Sequence, residues 1–314
     1  MSIKQPRSLA WAIPTRGTRE RSARRQRLIA RIVLLAPALI VILATTTYPL
    51  ISAGITSFRD WQLIYSPNPG AWVGFQHYAD ALQDASFINS IEVTLEFTVI
   101  SVALSMVLAL AMALVLYKPG RANVATRAVL ILPFAVSAAL KGYSWRFMLD
   151  PGYGVYSKII GFFFPPAQGY LWFTHKWWTL IFLAMSEVWG WAPLMALMFI
   201  GGLSAISPEI FEAARVDGAN PWTVFVHIML PLLRPILFIA MLLKIIFSLK
   251  LFDQIVTMTG GGPGDSTVTL NYYVYLTAFR DLNMGYASAL AIILVIALSL
   301  FAFVYVKVAI GKAE

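Results

Sequence analysis

The sequence predicts an all-α, polytopic membrane protein with six transmembrane helices and both termini in the cytoplasm. Three observations carry that prediction. Of the 314 residues, 59% are apolar and 12% charged, whereas soluble chains sit nearer half apolar and one quarter charged. Six segments, about 32–56, 92–117, 128–149, 177–203, 234–253 and 286–310, are apolar over span length; a helix needs ~20 such residues to cross the hydrocarbon core. Basic residues gather on alternate connections, the pattern that sets orientation across a bilayer.

The charges divide the chain in two. Residues 1–31 form a basic arm with Lys4 and eight arginines, from Arg7 to Arg31, against Glu20 alone. The connection after the second span holds Lys118, Arg121 and Arg127 and no acid, while the loop 57–91 sets Arg59 against Asp60, Asp80 and Asp84. The arm and the tail, with Lys307 and Lys312, therefore face the cytoplasm. Residues 32–314 make the six-helix domain. Nearly all of the net charge of +9 sits in the arm and invites a nucleic-acid partner. Its place next to a span fits a topology signal and contact with anionic membrane lipids instead.

The first span reads as a retained anchor. Its polar prefix is long and no small-x-small cleavage site follows. No cysteine is present, and His77, His175 and His227 are not spaced as metal ligands, so no metal and no resident cofactor is expected. Tyr153, Tyr156, Phe162, Phe163, Phe164, Tyr170 and Trp172 crowd the stretch 150–176, which reads as a short helix at the lipid–water boundary.

The stretch 207–235 is the most informative. Ser207 suits an N-cap, Pro208 the first helical position and Glu209 the positive end of the helix dipole. Gly218 suits the left-handed C-terminal position, and Asn220-Pro221 repeats the start signal. Two short helices joined by a tight bend follow. Ile210, Phe211 and Ala214 give the first an apolar patch, with Glu212, Arg215 and Asp217 between. By residue chemistry alone, such a helix fits a groove on a cytoplasmic partner or the membrane surface equally well.

Glu212-Ala213-Ala214, Gly218 after three residues, and Ile228-x-Leu230-Pro231 after nine more resemble in full the EAA loop of binding-protein-dependent ABC importer permeases. Trp72-Val73-Gly74-Phe75-x-x-Tyr78 and Phe252-Asp253 followed by Thr259-Gly260-Gly261-Gly262-Pro263 and Thr267 resemble the maltose and glycerol-phosphate branch. The resemblance covers nearly everything from the first span onward. It implies a type I importer permease fold, with residues 207–231 as the loop that couples to an ATPase dimer through Glu212, Ala213, Ala214, Asp217, Gly218 and Pro231. It further implies a second permease subunit, an extracytoplasmic solute-binding protein and a sugar-like substrate, in a bacterial inner membrane. ATP and Mg²⁺ then belong to the partner ATPase.

The run 260–267 looks like a phosphate loop, but it lacks the lysine before Ser/Thr, so the chain hydrolyses no ATP. It reads as a turn, whether purely structural or pressed by the binding protein. Ionisable groups inside spans are costly and point to function. Glu187 and Lys244 fall at matching depths on consecutive antiparallel spans and are expected to pair. Asp253 follows Lys250 at helical spacing and is expected to take its charge. Lys141 either snorkels to the interface or faces the cavity and attracts an acidic sugar. Tyr143, Trp145, Trp189 and Trp191 either stack on a sugar ring or serve as packing and interface anchors. A secondary transporter or channel is the alternative class, but halves 32–149 and 177–310 show no inverted repeat. An intramembrane enzyme would need HExxH, paired intramembrane aspartates or a serine with its base, and none is present.

Overall fold

A computed structural model describes residues 32–310, so the basic arm and Lys312 lie outside the described residues. In chain order the helices are α1 (Ile32–Thr56), α2 (Gln76–Ala81), α3 (Ala85–Leu116), α4 (Arg121–Ala135), α5 (Ala138–Met148), α6 (Val155–Phe163), α7 (Lys176–Ser204), α8 (Pro208–Val216), α9 (Pro221–Leu249), α10 (Leu270–Tyr275) and α11 (Met284–Ile310). The chain divides into two compact units at residue 55. The described part of the first is α1, a span-length helix that widens into a π-turn at Leu43–Thr47.

Five helices, α1, α3, α7, α9 and α11, are long and apolar enough to cross a membrane. The third expected span is not a straight helix. It consists of α4 and α5, which meet at 95°. Val136 between them is extended, and the Ser137 hydroxyl caps the new helix by accepting from the Leu140 amide at 3.4 Å. At ~1.5 Å per residue neither half crosses ~30 Å alone. The second span starts earlier than its apolar run because the Asp84 carboxylate accepts from the Ser86 and Phe87 amides and begins α3 there.

In the larger unit α3 packs chiefly on α7. Its contact stripe is small: Ser90, Thr94, Ser101, Ser105, Ala109 and Ala113 are buried, which lets the two backbones approach. Two apolar clusters fill the bundle. One joins Val93 and Phe97 of α3, Trp145 and Leu149 of α5, Leu180 and Leu183 of α7, and Ile255 and Met258. The other joins Ala109 and Ala113 of α3, Val188 to Leu203 of α7, and Met229, Leu233 and Ala240 of α9. Along α3 and α7, which contribute to both, the two clusters are separated by a buried polar stretch.

The stretch 150–176 contains the expected short helix, α6. Phe162, Phe163 and Phe164 are exposed, but Trp172 is buried and its indole donates to Ser157 Oγ at 2.8 Å, so it is a packing residue.

Asp84 also joins distant parts of the chain. Its second oxygen accepts from Tyr273 Oη at 2.6 Å and Tyr286 Oη at 2.8 Å. Burial pushes this carboxyl up, but the two phenols and the Phe87 and Ser86 amides outweigh it and hold it below the usual aspartate range. Burial and the Asp84 hydrogen bond push the Tyr273 phenol up. A depressed carboxyl stabilises the fold fully above its unfolded pKa of about 3.9 and loses that contribution as pH falls through its lower folded value. Asp84→Asn keeps the cap but weakens the phenol contacts, and should cost about 1 kcal/mol at pH 7. In thermal unfolding followed by tryptophan fluorescence, the gap between wild type and variant should close as pH drops below about 4.

Candidate functional site

The two-helix loop forms largely as its residues dictate. The end of α8 is a complete Schellman cap: Gly218, at φ +73°, donates to the Arg215 carbonyl and Ala219 donates to the Ala214 carbonyl. The Asn220 side chain accepts from the Thr223 amide and starts the next helix. Ser207 has the backbone of an N-cap, but its side chain makes no capping bond. The second helix is not short; α9 runs from Pro221 straight into the fifth span. A π-turn at Phe225–Met229 makes this possible, since the Leu230 amide reaches back to Phe225 O. Pro231 follows with no amide to donate, so the widened turn absorbs it.

On α8 the patch divides. Ala214 is buried and Phe211 packs on the second cluster, while Ile210, Glu212, Ala213 and Asp217 face out. Phe211, Glu212 and Arg215 line a groove of about 430 Å³ with Tyr117 and Lys118. The loop thus presents an acidic and a basic side chain beside an apolar floor.

The polar stretches of the bundle converge between the two clusters. Lys244 Nζ donates to Glu187 Oε1 at 3.2 Å, and the two residues are 0% and 4% exposed. Trp191, one turn past Glu187, lies under the Lys244 ammonium at 5.6 Å and packs on Phe247 and Phe134. Lys141 is 5% exposed and does not snorkel. Its ammonium lies against Gly190, where a Cβ would come within 2.6 Å of it. A side chain at Gly142 would strike Thr257, so α5 packs directly on the turn Ile255–Thr259. Ser101, Ser105, Ser248 and both polar atoms of Gln254 are buried here without a hydrogen-bond partner among the described residues.

The other expected contributors stand apart. Lys250 and Asp253 are exposed and form no ion pair with each other, because α9 ends at Leu249 and the helical spacing between them is lost. Tyr143 is exposed. Trp145 and Trp189 line one cavity of about 410 Å³ with Tyr156, Phe182 and Val188, an apolar surface that offers sugar hydroxyls little. Glu96, in the N-terminal half of α3, holds Lys176 at 2.8 Å.

The glycine run is a closed turn. Thr267 Oγ1 donates either to Gly262 O at 2.8 Å or to Thr259 Oγ1 at 2.9 Å, which fills its interior with the protein's own groups. Arg146 donates to Met258 O just before the turn and ties it to α5.

Residues 32–310 match the family described as binding-protein-dependent transport system inner membrane component. The sulfoquinovosyl glycerol transport system permease protein SmoG of Agrobacterium fabrum is 33% identical over 84% of this chain and 84% of its own. The trehalose transport system permease protein SugA of Mycobacterium tuberculosis is 30% identical over 82% and 81%. A bacterial ABC transporter involved in the import of the acidic polysaccharide alginate has a chain that superposes with a TM-score of 0.78 at 20% identity, covering 93% of this chain and all of that one. With its helix pattern, its broken third span and its capped two-helix loop, this chain belongs to the family of binding-protein-dependent transport system inner membrane components, which carry solutes and are not enzymes.

Proposed function

We propose that this chain is one of two permease subunits of an ATP-driven importer of a carbohydrate, loaded by an extracytoplasmic binding protein. The observation that carries it is the loop: Glu212 and Ala213 on the exposed face of a helix whose buried face holds Ala214, ended by a Schellman cap at Gly218 and tied by one short bend to α9. A rigid helix joined directly to a span converts a push from a cytoplasmic ATPase dimer into helix movement. Closure of that dimer must supply about 5.5 kcal/mol to move an inward/outward equilibrium from 1:99 to 99:1. Both termini are cytoplasmic in this reading, with the loop 207–231 facing the ATPase and the turn 259–267 facing the binding protein. The sulfoquinovosyl glycerol and trehalose relatives support a carbohydrate solute. ATP and Mg²⁺ act on the ATPase, not here.

The residues at the groove would do distinct things. Glu212 would contact a basic group of the ATPase; Ala213 keeps that face low, and Ala214 seats the helix on the bundle. Asp217 and Gly218 end the helix, and Pro231 marks the widened turn that passes motion into α9. Along the solute pathway, Glu187 and Lys244 would neutralise each other and hold α7 to α9, while Trp191 shields the pair.

Two measurements test these roles. Glu212→Lys should reduce uptake at least tenfold without loss of membrane insertion, and Gly218→Val should do the same by straining the left-handed cap. A Glu212→Lys complex that copurifies with its ATPase and keeps full solute-stimulated hydrolysis would refute the docking role. For the buried pair, Glu187→Gln or Lys244→Met alone should cost about 3–5 kcal/mol, and the double change should recover much of it. Glu187→Gln should be the worse single change, since it strands two lysines instead of leaving Glu187 beside Lys141. Thermal unfolding of the four variants decides this, and strictly additive losses would exclude a coupled pair.

A further inference from the structure

The buried layer between the two apolar clusters does not balance its charge. It contains Lys141, Lys244 and Glu187, so two cations face one carboxylate. Glu187 is already held by Lys244. The other acids on the spanning helices are Glu92 and Glu96, in the N-terminal half of α3, and Glu96 is held by Lys176. The Lys141 side chain has neither an ion pair nor a hydrogen bond among the described residues, although the residue is 5% exposed. A cation so placed is costly to bury, and a nearby anion would offset that cost.

Unpaired neutral groups surround the same place. Gln254 is fully buried with both amide atoms unpartnered, and its Cα lies 3.3 Å from where a Cβ on Gly142 would be. Ser248, one turn beyond Lys244, has a buried hydroxyl without a partner. Buried polar groups in folded proteins are otherwise almost always satisfied. Here a cation, an amide and a hydroxyl are left open on adjoining elements, the set that a carbohydrate with one acidic group and several hydroxyls would fill. Gly190 adds a steric reason. With no side chain there, the Lys141 ammonium fits against α7 at Gly190, three residues beyond Glu187.

We propose that Lys141 receives the anionic group of the solute, a carboxylate, sulfonate or phosphate, while Gln254 and Ser248 bond its hydroxyls. The imported solute is then an acidic carbohydrate. The inference rests on the carbohydrate-importer reading above and adds the solute's charge to it. Lys244 stays committed to Glu187, so Lys141 is the residue that selects.

The test uses the whole transporter, this chain with its partner permease, ATPase and binding protein, reconstituted in vesicles. Uptake of a uronic-acid disaccharide is compared with that of trehalose in wild type, Lys141→Met and Lys141→Arg. The binding protein is common to all three, so a change in preference between variants reports on this chain. Wild type should favour the acidic disaccharide. The preference should fall at least tenfold in Lys141→Met and return in Lys141→Arg. Thermal unfolding of the detergent-purified complex gives a second readout: the acidic disaccharide should raise the melting temperature of wild type but not of Lys141→Met. An unchanged preference in Lys141→Met, or wild type that imports trehalose alone, would overturn the anion site. Equal thermal protection by inorganic sulfate would reduce it to a small-ion site and overturn the solute assignment. Wild type that imports neither sugar would instead remove the carbohydrate reading, and the anion site with it.

Discussion

The contact between Lys244 and Glu187 sets the terms for the rest of the bundle. Each side chain is a charge removed from water, and each removal costs several kcal/mol that only a close partner offsets. To bring the two ends within 3.2 Å, α7 and α9 must keep one register against each other. That register places Trp191 under the ammonium and leaves Gly190 facing α5, where Lys141 enters. The small-residue stripe of α3 then closes the remaining side.

This arrangement divides the interior into two apolar clusters with a polar layer between. Water-soluble cores concentrate apolar side chains centrally, whereas a solute pathway needs hydrogen-bonding groups at mid-depth and seals on either side. The unpartnered atoms of Gln254 and Ser248 and the uncompensated Lys141 fall in that layer. A fully satisfied layer would be a more stable core and a poorer receptor. Glycines at 142 and 190 serve the same end, because they let α5 sit close to the turn 255–259 and to α7.

In the proposed coupling, motion would enter at the opposite kind of structure. The bend from Asp217 to Asn220 is short, closed by the Schellman cap on one side and the Asn220 cap on the other, and it leads directly into α9. The π-turn at Phe225–Met229 lies between that bend and the prolines at 231 and 235. Widened turns concentrate at places where helices bend in function, and this one separates the start of α9 from the buried Lys244 further along the same helix. A displacement at α8 would therefore reach Lys244 through one continuous element.

Much of this architecture was legible in the sequence because its causes are local. Apolar run length located the spans, and Ser207, Gly218 and Asn220-Pro221 located the loop helices, since caps and left-handed positions depend on neighbours within four residues. The Glu187–Lys244 pair was readable because helix rise converts residue number into depth. Tertiary structure decided the rest. Asp84 meets Tyr273 and Tyr286 across separations of 189 and 202 residues, which no local signal encodes. Local geometry separated Lys250 from Asp253 because the helix ended one residue too soon. The 95° break in the third span falls at an extended Val136, and in the helix beyond it Lys141 is buried. Hydropathy registers how apolar a segment is, but only packing determines which side of it faces the polar layer.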